Sequence, residues 1–139
     1  MKKITVALCT DTRGGMMFNN RRQVKDAEVI SDLVARFGGN GIFAAQYSAR
    51  LLEGYERVTV CPDPIKECAD GGLCFIEDPA LLSECADVET LVIYTWGIPY
   101  PADKYIPFEP ASAGFKRLSK EKLSTSIHKK VTREVFKKE

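Results

Sequence analysis

The chain has 139 residues, 45% of them hydrophobic and 28% charged, and twenty basic residues against nineteen acidic ones give a formal charge of +1. That length is one domain, residues 1–139, with enough chain for a single core, and the composition is that of an ordinary soluble globular protein. The charge balance speaks against a generic nucleic-acid binder, which carries a plain basic excess, and no apolar run approaches the length of a membrane span.

Lys3 to Cys9 alternates loosely and is rich in β-branched residues, which predicts a first strand. Residues 10–20 hold Gly14-Gly15 and Asn19-Asn20, which are loop signals. From Arg22 to Phe37 apolar residues recur in steps of three and four (Val24, Ala27, Ile30, Val34, Phe37), which predicts an amphipathic helix ended by Gly38-Gly39-Asn40-Gly41. Ile42 to Ala45 reads as a short buried strand, and Ser48 as the cap of a helix reaching Glu53. Arg57 to Cys61 is the next strand, after which Pro62 and Pro64 force an irregular connection. Leu73 to Ile76 is a further short strand, and Asp78-Pro79 reads as cap and first residue of a helix running to about Ala86. Thr90 to Trp96 is the central strand, and Pro99, Pro101 and Pro107 keep the following stretch out of a sheet interior. Gly114 to Leu118 and Lys130 to Phe136 read as two strands of a hairpin, with Ser119 to Lys129 as a polar loop between them. Strands alternating with helices and then a terminal hairpin predict an α/β fold. Its central sheet is mostly parallel, with helices on both faces and an antiparallel C-terminal strand.

The opening Met1 to Cys9 is too short in its apolar part for a signal peptide and is cut by Asp11-Thr12-Arg13, so the expected compartment is the cytoplasm. Five cysteines, Cys9, Cys61, Cys68, Cys74 and Cys85, form an odd set without a Cys-x-x-Cys pair and read as reduced, mostly buried thiols. With one histidine, His128, no ready zinc ligand set exists, so no metal is expected. The chain lacks a P-loop, a G-x-G-x-x-G turn after the first strand, a G-x-S-x-G elbow and an H-E-x-x-H helix. Charge is uneven along the chain. Val60 to Ala113 holds ten acidic and two basic residues, and Lys116 to Glu139 nine basic and three acidic ones. We read this as a solvated surface whose halves attract each other, against the alternative of a basic tail for an anionic ligand or RNA, because the lysines interleave with strand positions.

The order of elements resembles dihydrofolate reductase. In that family a first strand leads through a mobile loop to a helix carrying an acidic residue. Here Ile4-Thr5-Val6-Ala7-Leu8-Cys9 leads through Asp11 to Gln23, and Asp26 lies near the acidic position. Ala45-Gln46-Tyr47-Ser48 is the stretch that corresponds to the family's Gly-Arg-x-Thr turn, which opens a helix that binds cofactor phosphate. Ala102-Asp103-Lys104-Tyr105-Ile106-Pro107 resembles its Asp-x-x-Phe-Pro stretch. Gly114-Phe115-Lys116-Arg117-Leu118 and Thr132-Arg133-Glu134-Val135-Phe136 resemble its final hairpin. The departures fall on its functional positions. Arg21-Arg22-Gln23 replaces Leu-Pro-Trp of the pterin pocket, Gln46 replaces the phosphate-gripping arginine, and Tyr94-Thr95-Trp96 stands where we place the paired glycines that admit the dinucleotide. NADPH is thereby possible but disfavoured, and a divergent NADPH-dependent reductase is one alternative reading. A nearer resemblance is to small bacterial proteins that often carry the automatic label "ribonuclease Z". They share a Gly-Gly-Met-x-Phe-Asn-x-Arg-Arg-Gln run, here Gly14 to Gln23, and a Ser-Ser-His-x-Lys-Ile-Thr-like run, here Thr125 to Thr132 with an extra residue before His128. The label has no chemical support, because a two-metal ribonuclease site needs many histidines.

The candidate binding residues are Arg13, Gly14, Gly15, Asn19, Arg21, Arg22 and Gln23 in the first loop, with Ser126, His128 and Lys129 in the last one. Arginine forks beside a helix start favour anions, so the expected partner is a small anionic ligand or nucleotide. The two loops are expected to form one polar corner that gathers Arg21, Arg22, His128 and Lys129, with Asp11 or Asp26 near its floor. Asp11, Asp26 and His128 are the candidate acids and bases. Tyr47, Ser48 and Trp96 are the candidate cofactor contacts, Trp96 with Tyr94 and Tyr100 lining a cleft at the end of the central strand. A non-catalytic interaction module is the other alternative.

Overall fold

A computed structural model describes residues 3–82 and 88–139. Its centre is β1 (Ile4–Thr10), an apolar strand interrupted by Thr5 and buried on both faces: Ile4, Val6 and Leu8 point into one core, Ala7 and Cys9 into the other. The chain then turns back through β2 (Gly15–Phe18) and β3 (Arg21–Arg22) before entering α1 (Ala27–Phe37). Next come β4 (Ile42–Ala44), α2 (Gln46–Ala49), β5 (Val58–Val60), α3 (Pro64–Glu67) and β6 (Leu73–Phe75). The rest is β7 (Val88–Thr95), β8 (Lys104–Tyr105), β9 (Phe115–Leu123) and β10 (Val131–Lys138).

The main sheet has seven strands in the order β5-β4-β6-β1-β7-β10-β9. Pairings from β5 through β7 are parallel, and β10 is antiparallel to both β7 and β9. The expected α/β architecture with its antiparallel C-terminal strand is the observed one. On one face, Val29, Ile30 and Leu33 of α1 and Leu52 pack on Ala7, Phe75, Val92 and Val131. On the other, Ile65 of α3, Leu82 and the methionines of β2 cover Val6, Leu8, Leu91 and Ile93. No helix among the described residues is long and apolar enough to cross a membrane. Of the four described cysteines, Cys61, Cys68 and Cys74 are buried and Cys9 is partly so, and Cys85 lies outside the described residues.

Several boundaries differ from the sequence reading, each for a tertiary reason. The first loop contains a hairpin: Phe18 pairs with Arg21 across Asn19-Asn20, both at positive φ (51° and 59°), a two-residue turn that asparagine tolerates. A second sheet, β3-β2-β8, results. With Arg21 and Arg22 drawn into strand pairing, α1 starts at Ala27 rather than Arg22, where the Asp26 carboxylate accepts the Glu28 and Val29 N–H groups. Ser48 is not a cap but lies inside α2, buried, its hydroxyl donating to Glu77. Pro64 opens α3 instead of merely breaking the chain. The helix expected from Asp78 is a 3-10 turn over Pro79–Leu82, and its remainder falls outside the described residues. The polar loop expected from Ser119 is strand as far as Leu123, because an edge strand solvates its polar side chains and Glu121 reaches across to Arg133.

Candidate functional site

At the carboxyl end of β1 the buried Asp11 shapes the first loop. One oxygen accepts the Arg13 and Gly15 N–H groups at 2.7 and 2.9 Å, the other the Tyr100 N–H at 3.1 Å and the Gln23 side-chain amide at 3.0 Å. Burial raises the cost of its charge, but these four donors outweigh it and hold the carboxyl below its ordinary range. Gly15 is required by proximity: a Cβ there would press on Asp11, Ala102 and Gln23. Asp11 is therefore the organiser of this turn.

A second buried knot joins the start of α1 to the last loop. Asp26 Oδ2 lies 2.7 Å from His128 Nδ1 and accepts the Thr125 hydroxyl at 2.6 Å. The carboxylate accepts only, so Nδ1 carries the proton and Nε2 receives the Tyr100 hydroxyl at 2.7 Å. The imidazole stacks on Trp96, with ring centroids 4.7 Å apart and planes 20° apart. The turn itself is closed by Thr125, whose N–H donates to the His128 carbonyl and whose hydroxyl accepts the His128 N–H. Burial opposes the charge of Asp26, yet the Thr125 and His128 hydrogen bonds, the Val29 N–H and the nearby imidazole keep its pKa low. Burial and the same carboxylate push the Tyr100 phenol up.

The third cluster sits at the carboxyl ends of β4 and β6. Arg22 grips Glu77 through two nitrogens at 2.8 and 3.0 Å and lies 4.3 Å over the Tyr47 ring. Its backbone N–H donates to the Tyr47 hydroxyl, and Ser48 donates to Glu77 at 2.8 Å. Burial works against the guanidinium charge, but Glu77 raises its pKa above the ordinary value. Burial, with Glu77 and Asp26 nearby, pushes the Cys9 thiol up.

These clusters divide the cleft at the strand ends. An inner cavity of about 20 Å³, lined by Cys9, Arg22, Gln23, Asp26, Glu77 and Trp96 among others, has room for about one water. An outer groove of about 420 Å³ is lined by Phe18, Asn19, Arg21, Arg22, Gln23 and Pro101. Another, of about 390 Å³, runs along Asn20, Tyr47, Ser48, Glu77 and Asp78. Gln23 lines both the inner cavity and the first groove, and its Oε1 is buried without a hydrogen-bond partner.

The expected single corner is thus divided. Arg21, Arg22, Asn19 and Gln23 share a groove, while Ser126, His128 and Lys129 do not line it. His128, a candidate for the polar corner, is 2% exposed, because Asp26, Tyr100 and Trp96 enclose it. The Ser126 N–H is taken by Glu28, and Lys129 and Arg13 face solvent. Arg22 is neutralised by Glu77, which the sequence reading missed. The signal was there, since Glu77 closely follows a parallel strand, where ligand-facing residues sit. Tyr94 does not line the cleft: it is fully buried and its hydroxyl donates to Asp32 of α1 at 2.6 Å.

The groove beside Tyr47 and Ser48 does not fit a dinucleotide's phosphates. Its charged lining is Glu77 and Asp78, Arg22 is already paired with the former, and Lys104 is 3.5 Å from the latter. Among the described residues no group of three potential metal ligands is gathered.

No protein-family model and no curated protein matches the chain. Among solved structures, the dihydrofolate reductase of Enterococcus faecalis, in a complex with NADP(H) and RAB-propyl, superposes with a TM-score of 0.70 over 96% of this chain and 95% of that one, at 8% sequence identity. The chain has a dihydrofolate reductase-like fold.

Proposed function

On the premise of that fold, we propose that the domain binds a small anionic ligand, up to about the size of a mononucleotide, in the groove between the β2–β3 hairpin and Pro101. Arg21 meets the anion and Gln23 Oε1 accepts an N–H or O–H of the ligand. The observation that carries the reading is the orphaned Gln23 oxygen. Its amide cannot turn over, because Nε2 is held by the Asp11 carboxylate, which only accepts. A buried acceptor without a donor costs roughly 1–3 kcal/mol, and a ligand that supplies the donor recovers it. Among the described residues no carboxylate is ion-paired with Arg21, whereas Arg22 beside it is held by Glu77 through Nε and Nη2. Phe18, partly exposed at the rim, offers an apolar face for a ring.

Hydride transfer to a folate is not part of this reading. Asp26 commits both oxygens to four donors, and the inner cavity beside it holds no more than a water.

Trp96 is the sole tryptophan and lines the inner cavity next to Gln23, so its fluorescence reports on the site. Titration with mononucleotides, dihydrofolate and NADPH is expected to give a saturable change with mononucleotides that weakens with salt. Arg21→Ala is expected to weaken it by about tenfold, the value of one charge-assisted hydrogen bond. Silence with every anion, or binding untouched by Arg21→Ala, would overturn the assignment.

A further inference from the structure

The seven-stranded sheet ends on β9, which among the described residues pairs only with β10 and leaves a nine-residue edge open. The opposite edge, β5, has only three residues. Long open edges are commonly guarded by lysines and bulges, and β9 has both: its register with β10 shifts between Val135 and Phe136, and Lys116, Lys120 and Lys122 lie exposed along it. Two features go beyond a guard. Lys116 stands directly opposite Lys137, a like-charge pair that costs stability unless an anion answers it. Leu118, at the register shift, is 61% exposed in the middle of the basic stretch. The carboxylates within β9 and β10 are already engaged, Glu134 by Arg117 and Glu121 by Arg133, and Glu139 lies just beyond β10, beside Gly114.

We propose that the open edge of β9 accepts an extended acidic polypeptide segment as an added strand, with carboxylates facing Lys120 and Lys122, which share one face of the sheet, and an apolar side chain covering Leu118 at the register shift beyond which Lys116 turns to the other face. Backbone N–H and C=O groups of the edge supply the ladder, and side-chain charge supplies the choice of partner. A second copy of this chain is a poor occupant. Antiparallel self-pairing about Ser119 sets Lys116 against Lys122 at two symmetric places, and the Arg117–Glu121 pairs it also forms would draw both groups from the partners they already hold, Glu134 and Arg133. A nucleic acid has no strand backbone for the edge to pair with.

The test uses a labelled peptide of alternating glutamate and valine, titrated into the full chain and read by fluorescence anisotropy. Binding is expected to weaken with salt, to fall about tenfold or more in Lys120→Glu/Lys122→Glu, and to vanish when alternate peptide amides are N-methylated. A lysine–valine peptide is expected not to bind. Both substituted side chains are exposed, and an unchanged circular dichroism spectrum verifies the fold. Equal binding of the N-methylated peptide, or of a single-stranded RNA at the same residues, would show charge alone and overturn the strand addition. Concentration-dependent self-association blocked by the same substitutions would make the occupant a second copy and overturn the proposal, as would absence of binding.

Discussion

The carboxylate of Asp26 and the imidazole of His128 stand 102 positions apart in the chain and 2.7 Å apart in space, each side chain 1% exposed. The pair binds the N-terminus of α1 to the loop before β10. Both partners also act beyond the pair, since Asp26 caps the helix while His128 holds Tyr100 and stacks on Trp96. An Asp–His–Tyr chain of this kind suits proton relay in other settings. Here neither Tyr100 nor His128 lines the inner cavity, which Asp26 and Trp96 do line.

Asp26→Asn keeps an adequate helix cap but removes the charge that receives Thr125 and His128. A loss of about 1–3 kcal/mol is expected at neutral pH. Because the folded carboxyl titrates below its ordinary value, its contribution is fully present above the unfolded pKa near 4 and is lost as pH falls through the lower folded value. Urea denaturation at pH 7 and at pH 3 is therefore expected to show a smaller acid loss in the variant than in the native chain. A remaining acid loss comes from Asp11 and Asp32, which are held low in the same way. An acid limb identical in both proteins would contradict this account.

Arg22 and Glu77 form a mostly buried ion pair, and removing one partner strands the other. Arg22→Ala and Glu77→Leu are each expected to cost about 2–4 kcal/mol, and the double variant less than their sum. Chemical denaturation of all four proteins gives the coupling energy. Additive losses would mean that the pair does not act as a unit.

Gly97 links the end of β7 to the last loop. Its φ is +80°, and a Cβ there would fall on the Lys130 backbone carbonyl. Gly97→Ala is expected to cost about 2–4 kcal/mol, since a left-handed residue and a backbone clash combine. A melting temperature within a degree or so of the native value would show that the turn adapts freely.

Cys9 is expected to react slowly with alkylating reagents at neutral pH, because burial and the charges of Glu77 and Asp26 disfavour its thiolate. Mass spectrometry of the native chain after a brief maleimide pulse is expected to find Cys9 unmodified, and fully modified once urea is added. Rapid native labelling at Cys9 would show that the inner cavity opens more readily than its enclosure by Gln23 and Glu77 implies.

The apolar runs of β1, β4, β6 and β7, the stripe on α1 and the alternation of the last strand were legible in the sequence, because burial on both faces leaves a continuous apolar run while burial on one face writes a period of two or near 3.6 into the chain. From those elements and their order came the α/β class, the parallel sheet and the antiparallel end. The glycine stop after Phe37 was legible too, although Gly38 itself keeps an ordinary φ of −90° and it is Gly41, at φ 101°, that uses a glycine's backbone freedom. The residues of the site were legible only as types. Arg21 and Arg22 look alike in sequence, yet pairing with Phe18 and Met17 turns them to different surroundings, and Glu77 neutralises only the second. His128, flanked by Ile127 and Lys129, reads as exposed until the Thr125 turn folds it onto Asp26 and Trp96. Whether a charged or polar side chain is buried, paired or free depends on groups brought to it from remote parts of the chain. Only the tertiary structure decides that, because the desolvation cost and the compensating hydrogen bond arise together on folding.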